Sequence, residues 1–135
     1  MKIRCRRIVG GVSVGTAVIT NQPINFLTMV GTADGVIHDQ HHELFNQSIR
    51  NVILIFPNAI GSSVGAYSIY SLMLNGAAPK SMICSKKTDI TTASGCAISN
   101  IPLAELIETN MLSLIRGGAV IKLNADEGTI IIQTV

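Results

Sequence analysis

Hydrophobic positions fall into short blocks separated by turn residues, and each block predicts one structural element. Val52–Phe56 is a continuous run of β-branched and aromatic residues, which predicts a strand covered on both faces. Pro57 ends that run, since proline cannot donate to a sheet ladder. Beyond Gly61, apolar residues recur every three to four positions until Asn75-Gly76, which predicts an amphipathic helix.

The remaining blocks predict mostly short strands. In chain order they are a hairpin over residues 3–20, a second strand over residues 79–84, a small helix around residues 93–98, a strand near residues 101–106, and a closing hairpin over residues 119–135 that turns at residues 124–128. The order strand, helix, strand favours a parallel pair. We therefore expect a single α+β domain over residues 1–135, mostly β-sheet and barrel-like, with a few short helices.

The composition suggests that part of the surface is covered by another chain. Charged residues make up 13% of the sequence, against about 25% in typical globular proteins, while 47% of the residues are hydrophobic. A small globule of this composition has few charges to cover its outside. Because large exposed apolar patches usually mark an interface, we expect a protein partner.

The charge pattern gives no support for nucleic acid or membrane binding. The formal net charge is only +2, and the basic residues Lys2, Arg4, Arg6 and Arg7 alternate with Ile3 and Cys5, as on a solvated strand face. No apolar run approaches the roughly 18 residues that a membrane-spanning helix needs. We expect a cytoplasmic protein that binds neither nucleic acid nor membrane.

Two groups of residues could suggest a metal site, but neither has the spacing or the local structure that such a site needs. The three cysteines, Cys5, Cys84 and Cys96, have no CxxC spacing, which argues against a disulfide framework and against a self-sufficient zinc or iron–sulfur site. His38, His41, His42 and Glu43 are close in sequence, but their segment has loop composition and no helical face to align them. We expect that segment to be an exposed loop and this chain to bind no metal.

The candidate for chemistry is the segment Gly61-Ser62-Ser63, between the buried strand and the helix. Ser62 falls near the expected N-cap, where a serine hydroxyl can satisfy a backbone N–H and the nearby amides can bind an anion. Residues 61–65 also fit the G-x-S-x-G pattern of the α/β-hydrolase nucleophile. That function requires a histidine after the serine, whereas all three histidines precede it. A capping role and a catalytic role for Ser62 both remain open on these observations.

Several segments together resemble the small subunit of the aconitase X family. The similarity is carried by FPNAIGSSVGAYSIYSLMLNGAAPKSMI and TDITTASGCAISNIPL, and it extends to GVSVGTAVITNQPINFL, HELFNQSI and NADEG. Within the family, the archaeal branch is the most similar. Family members often carry a glycine where Asn46 stands here, and asparagine can replace it because it tolerates left-handed backbone angles. Members also often have a glycine pair where this chain reads Thr28-Met29.

The resemblance implies a swivelling β/β/α domain that docks on a large subunit carrying an iron–sulfur cluster, expected to be of the 4Fe–4S type. The implied reaction is the dehydration of (R)-5-phosphomevalonate to trans-anhydromevalonate 5-phosphate, in an archaeal mevalonate route to isoprenoids. By similarity to aconitase-type swivel domains, Ser62 is the proton acceptor, and Gly61 and Ser63 bind the carboxylate or phosphate of the substrate. No cofactor is expected on this chain.

Two alternatives remain beside that function. Bacterial relatives dehydrate cis-3-hydroxy-L-proline with the same swivel logic and a different pocket. A noncatalytic binding domain that reuses the swivel fold is the other alternative, because fold alone does not fix function. For Ser63, a second capping hydroxyl is as good an interpretation as a substrate contact. For Cys96, we expect a small buried residue in a tight turn.

Overall fold

The structure is a computed structural model that describes residues 1–133. These residues form seven strands, two α-helices and one 3-10 helix. In chain order they are β1 Lys2–Val9, β2 Val12–Ile19, β3 Ile53–Phe56, α1 Gly65–Leu74, β4 Ser81–Cys84, α2 Ile90–Ser99, β5 Leu103–Leu106, the 3-10 helix Thr109–Leu114, β6 Val120–Asn124 and β7 Thr129–Ile132. Among the helices of this described part, none has the length and hydrophobicity to span a membrane.

The strands close into a barrel in the order β1-β5-β4-β3-β2-β6-β7. Strands β2, β3, β4 and β5 run parallel to one another, and the remaining neighbours pair antiparallel. The predicted parallel pairing of β3 with β4 is confirmed, as is the mostly β, barrel-like α+β fold with few helices. The closing hairpin of β6 and β7 is also confirmed; Thr134 and Val135, at the end of the predicted range, lie outside the described residues.

The predicted hairpin over residues 3–20 is wrong in its pairing. The two strands form where expected, but β1 pairs with β5 and β7, and β2 pairs with β3 and β6. The β6–β7 hairpin lies between them: the Ala125 N–H donates to the Gly11 carbonyl at 2.9 Å, and the Gly11 N–H donates to Asp126 Oδ1 at 3.0 Å. A hairpin more than a hundred residues away thus replaces the local partner.

Two hydrophobic clusters lie on the two faces of the strands. In β3, Ile53 and Ile55 belong to a cluster to which all seven strands contribute, which is the barrel interior. The alternate residues Leu54 and Phe56 belong to a second cluster with residues of α1, α2 and the segment 24–49. All four β3 residues are fully buried, as the continuous apolar run predicted. The strand therefore holds its following loop on a rigid base.

Helices α1 and α2 pack together on the outside of the barrel. The predicted end of α1 is confirmed, with Asn75 as C-cap and Gly76 at φ 67°. Helix α2 is longer than the predicted turn because Asp89 caps it, accepting the Thr92 N–H at 2.8 Å. A side chain at Gly95 would come within 2.6 Å of Ile69, so this glycine permits the close approach of the two helices.

Parallel strands bring their carboxyl ends to one edge of the barrel. The segments that leave β2, β3, β4 and β5 begin at Thr20, Pro57, Ser85 and Ile107. Ligands of parallel sheets commonly bind at such an edge. The segment that follows β3 contains Gly61, Ser62 and Ser63.

Candidate active site

Ser62 lies exposed on the loop between β3 and α1, two residues before the helix N-cap Val64. Its hydroxyl oxygen accepts the Val64 N–H at 3.2 Å, and its carbonyl accepts the Gly65 N–H at 2.9 Å. The predicted position near the helix start is therefore correct. The hydroxyl closes a local turn before the N-cap, and α1 has no side-chain cap hydrogen bond, so the predicted capping role of Ser62 is wrong. Its exposed side chain is available for a chemical role.

Backbone amides around Ser62 form a small surface of free hydrogen-bond donors. Gly61 has φ 91°, a left-handed conformation that glycine adopts without strain. Within residues 1–133, the N–H groups of Gly61, Ser62 and Ser63 have no hydrogen-bond acceptor. Successive free N–H groups ahead of a helix attract anions through their partial positive charges. The arrangement suits a carboxylate or phosphate oxygen.

Two contacts from other parts of the chain fix the approach to this loop. Ile24 forms a parallel bridge with Ala59, and the Ile60 N–H donates to the Ile24 carbonyl at 3.0 Å. From the other side, Asp89 Oδ1 accepts the Ala59 N–H at 2.8 Å. The start of α2 and the loop after β2 therefore both hold residues 59–60.

Asn25 lies against the serine loop, a position that the sequence did not reveal. A Cβ on Gly61 would overlap the Asn25 amide nitrogen and lie within 2.7 Å of Asn25 Cγ, so the amide lies directly over the bare glycine backbone. Asn25 Oδ1 accepts the N–H groups of Leu27 and Thr28, both at 3.1 Å. The Thr28-Met29 segment thus forms a tight turn closed by Asn25. Asn25 lies in the segment GVSVGTAVITNQPINFL, which carries part of the family resemblance, but nothing in that segment singles out the asparagine.

Apolar side chains surround the serines on the outer surface. Ile60 and Val64 flank the loop and are exposed, and Leu27 and Ile90 are exposed on the neighbouring segments. Gly65 brings these segments together, because a Cβ there would lie 3.1 Å from Thr91 and 3.8 Å from Phe26. The polar loop therefore lies within an apolar rim, defined here as Leu27, Ile60, Val64 and Ile90.

The chain alone does not enclose Ser62. A cavity of about 550 Å³ lies between α2 and the ends of β1 and β5; Ile90 of the rim lines it, but Ser62 and Ser63 do not. It also contains Arg6 and Glu105, which form an ion pair at 2.8 Å. A cavity of about 250 Å³ lies at the same carboxyl edge as Ser62. Pro57 and Lys86 are among the residues that line it, whereas Ser62 and Ser63 are not. A closed pocket at Ser62 therefore requires a second surface.

The cysteines do not fit an iron–sulfur cluster. Cys5, Cys84 and Cys96 are free and buried, and Cys5 lies in the barrel cluster, apart from the other two. Cys96 is buried as expected, but the prediction of a tight turn is wrong because it lies within α2. Burial raises the pKa of Cys5 to about 11 and that of Cys84 to about 12, and it raises the pKa of Cys96 as well, so all three remain thiols. In residues 1–133, no group of three or more His, Cys, Asp or Glu side chains is placed to hold a metal ion.

The histidine segment is a folded loop with a structural role. His38 and His41 are exposed, whereas His42 is buried and its Nδ1 accepts the Leu44 N–H at 3.0 Å. The prediction of an exposed loop is therefore wrong for His42. Glu43 accepts hydrogen bonds from the Thr20 hydroxyl and, at 2.8 Å, from the Asn21 N–H, which fasten this loop to the carboxyl end of β2.

Comparison with known proteins gives full-length matches. Residues 2–132 match the family described as the aconitase X swivel domain. Two similar relatives are named phosphomevalonate dehydratase small subunit: one from Thermococcus sibiricus is 36% identical over 98% of this chain and 99% of its own length, and one from Methanothrix thermoacetophila is 41% identical over 90% and 88%. The crystal structure of Thermococcus kodakaraensis aconitase X in its holo-form superposes with a TM-score of 0.92 at 33% identity and covers 99% of both chains. The chain is therefore a member of the aconitase X swivel-domain family.

Proposed function

We propose that this chain is the small subunit of a phosphomevalonate dehydratase, which removes water from (R)-5-phosphomevalonate to give trans-anhydromevalonate 5-phosphate. The main support is the shared name of the curated relatives, which match almost all of this chain and almost all of their own length. The function places the pair in an archaeal mevalonate route to isoprenoids. Its location in the cytoplasm stays a prediction.

We assign the base to Ser62. The elimination needs a group that takes the proton from the carbon next to the carboxylate, and Ser62 presents its hydroxyl beside amides suited to bind that carboxylate. Gly61 and Ser63 then bind the carboxylate or phosphate of the substrate through their free N–H groups. This assignment gives the exposed serine a function beyond closing the local turn with Val64.

The loop by itself is too weak to make Ser62 a base. A serine hydroxyl is protonated at neutral pH, and each unit by which its pKa falls needs about 1.36 kcal/mol. A helix N-terminus contributes about 0.3–1 kcal/mol at an exposed position. Among the described residues, no charged side chain hydrogen-bonds to Gly61, Ser62 or Ser63. The remaining stabilisation must come from a partner.

We propose that this partner is a large subunit, which closes over the apolar rim. The support is the small-subunit name of the relatives, the open site, and the exposed apolar side chains around it. The iron–sulfur cluster expected from the family, of the 4Fe–4S type, then belongs to the large subunit, where it supplies Lewis acidity for the departing hydroxyl. This chain supplies the proton acceptor and the amides that bind the anion, within one swivel domain.

The test is co-expression with the large subunit from the same organism, purification of the pair, and assays with two substrates. We expect the pair to dehydrate (R)-5-phosphomevalonate and each subunit alone to be inactive. Turnover of cis-3-hydroxy-L-proline in place of phosphomevalonate would contradict the proposed substrate. A pair that assembles with an intact cluster and acts on neither compound would instead indicate a noncatalytic binding domain.

A further inference from the structure

The side-chain amide of Asn25 has a fixed orientation at the edge of the serine loop. Its Oδ1 accepts two backbone N–H groups, from Leu27 and Thr28, and its Nδ2 lies against Gly61, where any Cβ would overlap it. The Ile24–Ala59 bridge, formed by the residue just before Asn25, fixes the backbone beneath it. The amide is therefore held by two hydrogen bonds and by its contact with Gly61, on a backbone that the bridge to Ala59 fixes.

The hydrogen bonds made by this amide use its oxygen and leave its nitrogen without an acceptor in residues 1–133. A neutral side-chain amide has an acceptor oxygen and two N–H donors. Two backbone donors already occupy Oδ1, whereas Nδ2 donates to no acceptor within residues 1–133. A turn-closing asparagine needs only its oxygen. The two donors of the half-buried Asn25 are therefore available to an acceptor outside residues 1–133.

We propose that Asn25 binds the carboxylate of the substrate, donating through Nδ2 beside the free amides of Gly61, Ser62 and Ser63. This inference rests on the proposed function. In the reaction, the C–H bond next to the carboxylate breaks and its proton passes to Ser62. The electron pair moves into the new carbon–carbon double bond as the C–O bond breaks, and the hydroxyl takes up a proton and leaves as water. Negative charge develops on the carboxylate during this step, and donors fixed in advance stabilise it without reorganising.

Two further features support a ligand at this position. The donors come from two chain segments that meet at Gly61, and the glycine is what permits the amide to lie so close. Gly61 has φ 91°, and within residues 1–133 its N–H has no acceptor, like those of Ser62 and Ser63. Asn25 and the serine loop therefore form one donor surface.

The experiment compares Asn25→Asp, Asn25→Ala and Asn75→Asp in the assembled pair. Asn25→Asp keeps the oxygen that accepts from Leu27 and Thr28 and replaces both donors by an acceptor, so it separates the turn from the donation. Asn75, at the far end of α1, is the matched control, since its amide donates to the Thr32 carbonyl at 2.7 Å and lies about 15 Å along the helix from the serine loop. The measurements are kcat and KM for phosphomevalonate, Tm, and the pH profile.

We expect Asn25→Asp to lower kcat/KM by about 100-fold or more, mainly through kcat, with little change in Tm. Its deficit should shrink from about pH 8 to about pH 5, because protonation of the new carboxyl restores one donor. Asn25→Ala should lose activity at every pH, and Asn75→Asp should retain that of the wild type.

Three results would overturn the inference. If Asn25→Asp stayed within about threefold of wild-type kcat/KM while the wild-type pair was active, Asn25 would have no substrate role and the proposed function would stand. A deficit independent of pH and matched by a fall in Tm would mean that Asn25 only supports the loop. A wild-type pair that neither binds nor turns over phosphomevalonate would overturn the proposed function together with this inference.

Discussion

Asp89 accepts the backbone N–H of Ala59 at 2.8 Å and thereby joins the start of α2 to the segment that leads into the serine loop. The same carboxylate accepts the N–H and the hydroxyl of Thr92, so both of its oxygens are used. One residue therefore caps a helix and fixes the backbone three positions before Ser62. The geometry of the site and the stability of α2 are coupled through this carboxylate.

Replacing Asp89 by alanine should lower both stability and activity. The change removes the cap of α2 and leaves the N–H of the buried residue Ala59 without a partner, which together should cost about 2–4 kcal/mol in the free energy of unfolding. Denaturant unfolding measures this loss. The control is Glu127→Ala, an exposed carboxylate on the β6–β7 turn, which should change stability by less than about 0.5 kcal/mol. Equal effects of the two changes would contradict the coupling.

Gly61→Ala should disturb the site for two separable reasons. The new methyl group would overlap Asn25, and φ 91° is unfavourable for alanine. Two other glycines separate these effects: Gly76 has φ 67° with open space around it, and Gly117 has open space without a left-handed φ. We expect losses of about 2–4 kcal/mol at Gly61, about 1 kcal/mol at Gly76 and none at Gly117. Adding Asn25→Ala should recover part of the loss at Gly61; no recovery would contradict the contact.

Local sequence patterns predicted the elements and part of the topology. The run Val52–Phe56 predicted β3 because a strand between two parallel neighbours is buried on both faces. The left-handed backbone expected at Asn46 is present, with φ 67°. The position of Ser62 followed from the period of α1 alone. In each case the pattern that carries the prediction lies in the residues around the predicted position.

Contacts between distant segments were not predictable in the same way. The pairing of β1 depends on β5 and β7, which lie about a hundred residues away in the chain, so the Gly10-Gly11 turn did not imply a hairpin. Asn25 joins the candidate site only because the fold places it over Gly61. Asp89 carried a weak signal, as a helix-capping residue three positions before Thr92, but its bond to Ala59 had none.

Ser62→Ala should abolish turnover in the assembled pair while leaving the pair intact. The variant removes the proposed proton acceptor, so we expect kcat to fall by at least about 100-fold. The hydroxyl bond to Val64 is exposed, so Tm should change little. Ser94→Ala, at an exposed position of α2, is the matched control and should keep full activity. Near wild-type turnover by Ser62→Ala would remove this serine from the role of base.

Glu43 should make the stability of the fold depend on acid pH. The hydrogen bond from Thr20, followed by that from Asn21, holds the pKa of Glu43 below its ordinary value. A lowered pKa in the folded state favours folding above the unfolded pKa of about 4.3, and this contribution is lost as pH falls through the folded pKa. Comparing Tm with that of Glu43→Gln should show a difference at neutral pH that narrows below about pH 4. A difference independent of pH would contradict this linkage.

Exposed apolar residues at the two ends of the helices should differ in their effect on assembly. Ile90 belongs to the rim around Ser62 and is 81% exposed, whereas Leu74, at the far end of α1, is 63% exposed. If the large subunit closes over the rim, Ile90→Asp places a charge in the interface and should weaken binding by about tenfold or more. Leu74→Asp should leave the affinity unchanged. Both residues are exposed in the isolated chain, so neither change should lower its Tm. Copurification and titration calorimetry with the large subunit measure the difference, and equal affinities for the two variants would mean that the partner binds another face.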